Sequence, residues 1–171
     1  MKILLAGAGA LGLGLAGSLI IGGAEVHLFG RGIGKQPTEN NGIKIRGRFG
    51  KFNIAPGQFQ ILDYNSEQIE TSYDLIIVAT KAYDVANCLE NLQRRLKSEH
   101  QIGGVLLVQN GWGIAHEIRL QLNESIPVYS ASVITGFEKF GPRGIEVTAH
   151  ADDIKIGCLF EPRRLEVEAI V

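Results

Sequence analysis

The chain has 171 residues, room for one domain of roughly 150 residues and a short extension, but not for a two-domain dehydrogenase. With 45% hydrophobic and 20% charged residues it can build a sizeable core, which excludes wholesale disorder. Seventeen basic against eighteen acidic side chains leave a formal net charge of -1 and no long-range field for a polyanion, so nucleic acid is not an expected partner.

Ile3 to Ala24 carries no charged residue and follows Lys2, so a membrane span or signal peptide competes with a soluble reading. Ala6, Ala10, Gly14 and Ser18 even fall four apart, as small residues do in packed membrane helices. Against this stand seven glycines from Gly7 to Gly23, each of which costs a helix roughly 1 kcal/mol relative to Ala. The stretch divides better into a strand over Lys2–Ala6, a turn at Gly7–Gly9 and a buried helix over Ala10–Ile21. Glu25–Phe29 then reads as a second strand, which completes one βαβ unit.

Beyond a loop containing Gly and Pro, Ile43, Ile45, Phe49, Phe52 and Ile54 alternate loosely with Lys44, Arg46, Arg48 and Lys51. This fits a half-exposed hairpin turning near Gly47–Gly50, with the basic residues on a solvated face rather than a phosphate site. Leu75–Thr80 is apolar up to its last residue, as in a strand covered on both faces. Val85, Cys88, Leu89, Leu92 and Leu96 make a helical stripe; Val105–Gln109 is the next strand, and Ile114, Ile118 and Leu122 mark another helix. Val128–Thr135 continues the alternation, so the expected fold class is α/β, a Rossmann-type doubly wound, mainly parallel sheet with helices on both faces. From Gly136 the pattern changes to short strands broken at Gly141-Pro142 and Gly144, ending in Ile154–Phe160. The domain is expected to span residues 1–160, with 161–171 starting a linker or helix after Pro162. Cys88 and Cys158 lack metal-ligand spacing and are expected to be buried structural thiols in a reducing cytoplasm.

Gly7-Ala8-Gly9-Ala10-Leu11-Gly12 matches G-x-G-x-x-G, and its place between a first strand and a helix makes it a dinucleotide fingerprint. Gly7 permits the tight turn, Gly9 admits a pyrophosphate, Gly12 lets helix and sheet touch, and the helix N-terminus attracts the phosphates. The second cluster, Gly30 to Gln36, is one residue short of a P-loop and has Gln36 where the magnesium-binding hydroxyl belongs. Where NAD-preferring sites carry an Asp or Glu for the ribose, this strand ends Leu28-Phe29-Gly30-Arg31. A guanidinium can hold a 2′-phosphate that a carboxylate would repel, so NADP(H) is the expected cofactor. Lys35 could assist Arg31 or be a solvated loop residue.

With these residues in place the chain resembles the N-terminal NADP-binding domain of the ketopantoate reductase (2-dehydropantoate 2-reductase) family. The resemblance rests on Gly7 to Gly12, Arg31, Asn41-Gly42-Ile43-Lys44-Ile45, Thr80-Lys81-Ala82-Tyr83-Asp84, Gln109-Asn110-Gly111 and the Gly141-Pro142 to Ile156-Gly157 region. It implies that Lys81 and Asn110 lie beside the nicotinamide and substrate, with Thr80 and Gln109 next in line and Trp112 placed for packing. Read without the family, Lys81 is equally a loop lysine and Asn110-Gly111 equally a turn chosen for its backbone angles. The resemblance further implies hydride transfer from NADPH to the ketone of 2-dehydropantoate, giving pantoate on the route to pantothenate and coenzyme A. The family's acid lysine and substrate-holding glutamate belong to a second, helical domain absent from this chain. No catalytic residue is therefore expected here, and turnover by this chain alone should be low. The expected partner is a small 2-oxo acid, with a homodimer allowed. The rival readings are a non-enzymatic NADP(H)-sensing module and a reductase of another 2-oxo acid.

Overall fold

The computed structural model describes residues 1–31, 42–65, 68–98, 101–110 and 113–160. In chain order these form β1 (Lys2–Ala6), α1 (Ala10–Ile21), β2 (Glu25–Gly30), β3 (Ile43–Gly47), β4 (Phe52–Ile54), β5 (Phe59–Asp63) and β6 (Leu75–Val78). There follow α2 (Val85–Gln93), β7 (Val105–Leu107), α3 (Ile114–Arg119), β8 (Val128–Ser132), β9 (Thr135–Lys139), β10 (Gly144–His150) and β11 (Lys155–Phe160). Lys35, Asn41, Gly111, Trp112, His100, most of the Gly30 to Gln36 cluster and residues 161–171 lie outside the described residues.

Seven strands form the main sheet in the order β11-β8-β7-β6-β1-β2-β5, parallel throughout except for the β11 edge. The chain leaves β1 toward β2 on one side and later returns as β6 on the other, so β1 and β6 flank the switch point of the sheet. Alternate residues of each strand feed two separate cores. Leu4, Ala6, Ile76 and Val78 face α2 and α3, while Ile3, Leu5, Leu75 and Ile77 face α1. Because both faces are covered, β1 and β6 are apolar at almost every position, and each fully buried aliphatic side chain contributes ~1.5–3 kcal/mol.

A second, four-stranded sheet, β4-β3-β10-β9, lies over the outer side of α1. This explains the glycines inside the helix. A Cβ on Gly14 would meet the Phe137 ring at 2.3 Å, and one on Gly17 would meet Ile45 Cδ1 at 2.2 Å. With a sheet on each side, α1 needs no polar face, and the uncharged N-terminal run follows from burial in protein. Among the described residues no helix is long and apolar enough to cross a membrane.

The expected doubly wound sheet is present, and four local expectations change. The hairpin expected over residues 43–54 forms, but β5, which was not foreseen, adds an edge strand beside β2, with β3 and β4 in the connection between β2 and β5. Val128–Thr135 is not one strand: the chain leaves the main sheet after Ser132 and enters the small sheet as β9. Thr80 and Gln109 lie just past the ends of β6 and β7 instead of inside them. Cys88 is buried as expected, whereas Cys158 is exposed, because β11 is an edge strand with little covering it.

His27 is one of the few buried polar side chains among the described residues. Its Nδ1 lies 2.8 Å from the Tyr73 hydroxyl, and its Nε2 lies 3.4 Å from Glu25, which also pairs with Lys2. Burial holds the His27 pKa below the ordinary imidazole value, outweighing the pull of Glu25. The unfolded chain therefore takes up this proton at a higher pH than the folded chain does. Stability should be full above about pH 6.5 and fall as pH drops below it, down to the folded-state pKa. Urea unfolding at stepped pH should show this decline, and a His27→Gln variant should show less of it.

Candidate functional site

The turn after β1 is held between two neighbouring strands. Gly7 N–H donates to Phe29 O at 2.8 Å on the β2 side, and Ala79 N–H donates to Ala6 O at 2.7 Å on the β6 side. Gly7 has φ +112°, and a Cβ there would come within 2.9 Å of the Ala79–Thr80 backbone. Gly12 is tighter still, since its Cβ would sit 1.9 Å from Gly7 O. At Gly9 a Cβ would meet nothing within 4 Å, which leaves its backbone open to a ligand. Gly9 also starts α1 without a side-chain cap, so the first N–H groups of the helix are available to an anion.

This turn forms one wall of a cavity of about 760 Å³, within the usual range for small-molecule sites. Gly7 through Leu11, Arg31, Thr80, Lys81, Gln109 and Asn110 all line it. Gly12, third glycine of the fingerprint, does not; it is buried behind the turn, where it lets α1 approach Gly7, the helix–sheet contact expected of it. Arg31 follows β2 directly and is exposed at one end of the cavity. Lys81, also exposed, precedes a short 3-10 turn over Ala82–Asp84 that leads into α2.

Thr80 and Gln109 are joined to each other. Gln109 Nε2 donates to Val78 O at 2.6 Å and Thr80 O at 3.0 Å, tying together the ends of β6 and β7. Thr80 Oγ1 and Gln109 Oε1 are buried with no hydrogen-bond partner among the described residues. A buried polar oxygen left so is costly, and two beside one cavity fit a ligand that carries donors. The open backbone at Gly9, the free helix N-terminus and these two oxygens together fit a nicotinamide dinucleotide.

The cavity also has contributors that the sequence reading passed over. Tyr64, just after β5, stands with its ring 4.9 Å from Phe29 and lines the cavity at the Arg31 end. Asp63, which does not line the cavity, is in register with Gly30, so a neighbouring strand brings a carboxylate to the end of β2. Both were missed because β5 was missed. Phe137, Lys139 and Arg143 reach the cavity from the small sheet. Their only signal was the Gly-Pro-Arg-Gly turn.

Fold and cavity define a dinucleotide-binding domain of Rossmann type. A sequence model of the family described as ketopantoate reductase PanE/ApbA matches residues 3–161, and the chain belongs to that family. A 2-dehydropantoate 2-reductase of Pyrococcus abyssi is 32% identical over 113 residues, 66% of this chain and 34% of that protein. The crystal structure of a 2-dehydropantoate 2-reductase from Geobacter metallireducens superposes with TM-score 0.78 at 24% identity, over 99% of this chain and 54% of that one. A ternary structure of D-mandelate dehydrogenase with NADH and anilino(oxo)acetate gives 0.70 at 25% identity, over 87% of this chain and 46% of that one. The chain thus spans about half the length of these solved relatives, or less, and a third of the Pyrococcus protein.

Two of the fingerprint glycines should separate in their effects. Gly12→Ala forces a Cβ into Gly7 O and should cost about 3 kcal/mol or more of stability, at or above the usual cost of overpacking. Gly9→Ala should change stability by less than about 1 kcal/mol, in line with substitutions that touch nothing. Chemical denaturation of the two variants beside the parent checks this.

Proposed function

We propose that this chain is the cofactor-binding half of an NADPH-dependent 2-dehydropantoate 2-reductase, and that it turns over little alone. The observation that carries the reading is the convergence of the glycine turn, Arg31, Thr80-Lys81 and Gln109-Asn110 on one cavity at the switch point of the sheet. Ligands of doubly wound sheets bind there, beyond the carboxyl ends of the strands.

When bound, the dihydronicotinamide supplies the hydride that reduces the substrate ketone. The chain's own work is to hold and orient. The α1 N-terminus and the Gly9 backbone hold the pyrophosphate, and Arg31 holds the 2′-phosphate through charge-assisted bonds. Thr80 Oγ1 and Gln109 Oε1 accept hydrogen bonds from the nicotinamide end. Lys81 and Asn110 face the substrate ketone and carboxylate as donors. On this reading a following helical half holds the 2-oxo acid and supplies the proton; the protein is cytoplasmic, and a homodimer is allowed.

A second reading is a reductase of another 2-oxo acid that prefers NADH. Two observations favour it: the likeness to a D-mandelate dehydrogenase holding NADH, and Asp63 beside the end of β2, where a carboxylate would select an unphosphorylated ribose. Titrating the chain with NADPH and NADH, with and without Arg31→Ala, decides between them. NADPH should bind more tightly, and the substitution should remove about 1.5–3 kcal/mol from NADPH binding while sparing NADH. Equal NADH binding would overturn the assignment of Arg31 to a 2′-phosphate, and tighter NADH binding would favour the second reading. Binding of neither would reduce the glycine turn to a structural device.

A further inference from the structure

The small sheet gives the cavity a basic wall. β9 runs from Thr135, on the side of the Gly22–Ala24 end of α1, across the helix at Gly14, to Lys139 beside the cavity. The chain then turns through Gly141-Pro142 and returns as β10, with Arg143 O accepting from Lys44 N–H at the start of β3. Lys139 and Arg143 thus arrive over the N-terminal turn of α1, on a sheet separate from the one that carries the glycine turn. Among the described residues that line it, the cavity has Arg31, Lys81, Lys139 and Arg143 against one carboxylate, Asp84.

Arg143 is the most unusual of these cations. It is 6% exposed, one of three buried polar or charged residues among those described. All three are engaged within the fold: His27 meets Tyr73, and Gln101 holds the Ser98 N–H and the Ile69 and Thr71 carbonyls. The shape of the hairpin is secured by other groups. Arg46 stacks 4.1 Å over the Phe140 ring and pairs with Glu146 at 2.6 Å, and Phe140 N–H donates to Gly144 O at 2.9 Å. Arg143 makes an interaction of its own within the fold, and burial lowers its pKa, so its charge is held at some expense of hydration. A partly desolvated guanidinium on a cavity wall is a strong receptor for an anion, because the attraction is screened less there than in water.

We infer that Arg143, with Lys139 beside it, is a phosphate anchor that grips the bound dinucleotide from the small-sheet side, opposite the glycine turn. This rests on the dinucleotide reading above and adds to it a positioning role that the glycine fingerprint does not supply. The small sheet then does more than cover α1: it closes the phosphate site from above. Two phosphate sources meet the same chemistry, the pyrophosphate common to both nucleotides and the 2′-phosphate of NADPH alone.

The test is calorimetric titration of the chain with NADPH and with NADH, at low and high salt, for the parent and for Arg143→Gln, Arg143→Lys and Lys139→Gln. Arg143→Gln should weaken NADPH at least tenfold and flatten the salt dependence of binding, while Arg143→Lys retains part of the affinity. A matching loss for NADH assigns the anchor to the pyrophosphate, and a loss confined to NADPH assigns it to the 2′-phosphate. If Arg143→Gln does not fold, Lys139→Gln, on an exposed side chain, carries the test and should weaken binding severalfold with a reduced salt slope. Folded variants that bind both nucleotides as the parent does, with the same salt slope, overturn the anchor and leave the dinucleotide reading standing. A parent chain that binds neither nucleotide overturns that reading instead.

Discussion

The upper edge of this domain depends on how little space separates α1 from the turn that precedes it. Gly12 lies so close to Gly7 O that no side chain fits, and Gly7 itself lies against the Ala79–Thr80 backbone. These two contacts set the height of the helix above the sheet and the distance between the ends of β1 and β6. The groups that reach the cavity from the ends of β2, β6 and β7 take their positions from them. Thr80 and Lys81 follow directly from the strand that Gly7 touches, Gln109 is tied back to that strand by two hydrogen bonds, and Arg31 follows the strand that receives the Gly7 N–H. A side chain on Gly9 meets nothing, so the one fingerprint glycine free of packing duty is one that lines the cavity.

The glycines inside α1 extend the same logic outward. A helix carrying Gly14 and Gly17 would be weak in isolation, since each glycine costs roughly 1 kcal/mol relative to Ala. Here the lost propensity is exchanged for contact with Phe137, Ile45 and Ile54, which bring the small sheet down onto the helix. Most helical stability in proteins comes from such tertiary burial rather than from propensity. The result is a helix enclosed on both sides, which is why its sequence resembles a membrane segment while its 12 residues are too few for one.

Much of this was legible in the sequence where local chemistry and topology agree. The strand–turn–helix context of Gly7 to Gly12, the βαβ unit and the apolar runs of β6 and β7 led to the doubly wound sheet and to Gly7 through Leu11 and Arg31 at the cavity, whereas Thr80, Lys81, Gln109 and Asn110 came from the resemblance to the family. The failures have physical causes. β5 is a five-residue edge strand after a proline turn, and Phe59-Gln60-Ile61-Leu62-Asp63 shows neither clean alternation nor a continuous apolar run. With β5 unseen, Tyr64 and Asp63 could not be placed beside Arg31. Val128–Thr135 is uniformly compatible with a strand, and nothing local marks the point at which the chain changes sheets. Arg143 and Lys139 reach the cavity only through that change, so no window of sequence could associate them with the glycine turn.

The pairing of β3 with β10 has a consequence for how the domain forms. Arg46 and Glu146, bonded across that pair, are 100 residues apart in sequence, and the two strands run parallel. Closing a loop of that length must precede any reward from the contact, which makes such pairings late and slow. β1, α1 and β2 can assemble from neighbouring residues, but the outer side of α1 stays bare until β9 and β10 arrive. During synthesis an apolar, glycine-rich helix therefore waits for its cover until some 150 residues have been made. That interval is when this chain is most exposed to aggregation and to capture by chaperones.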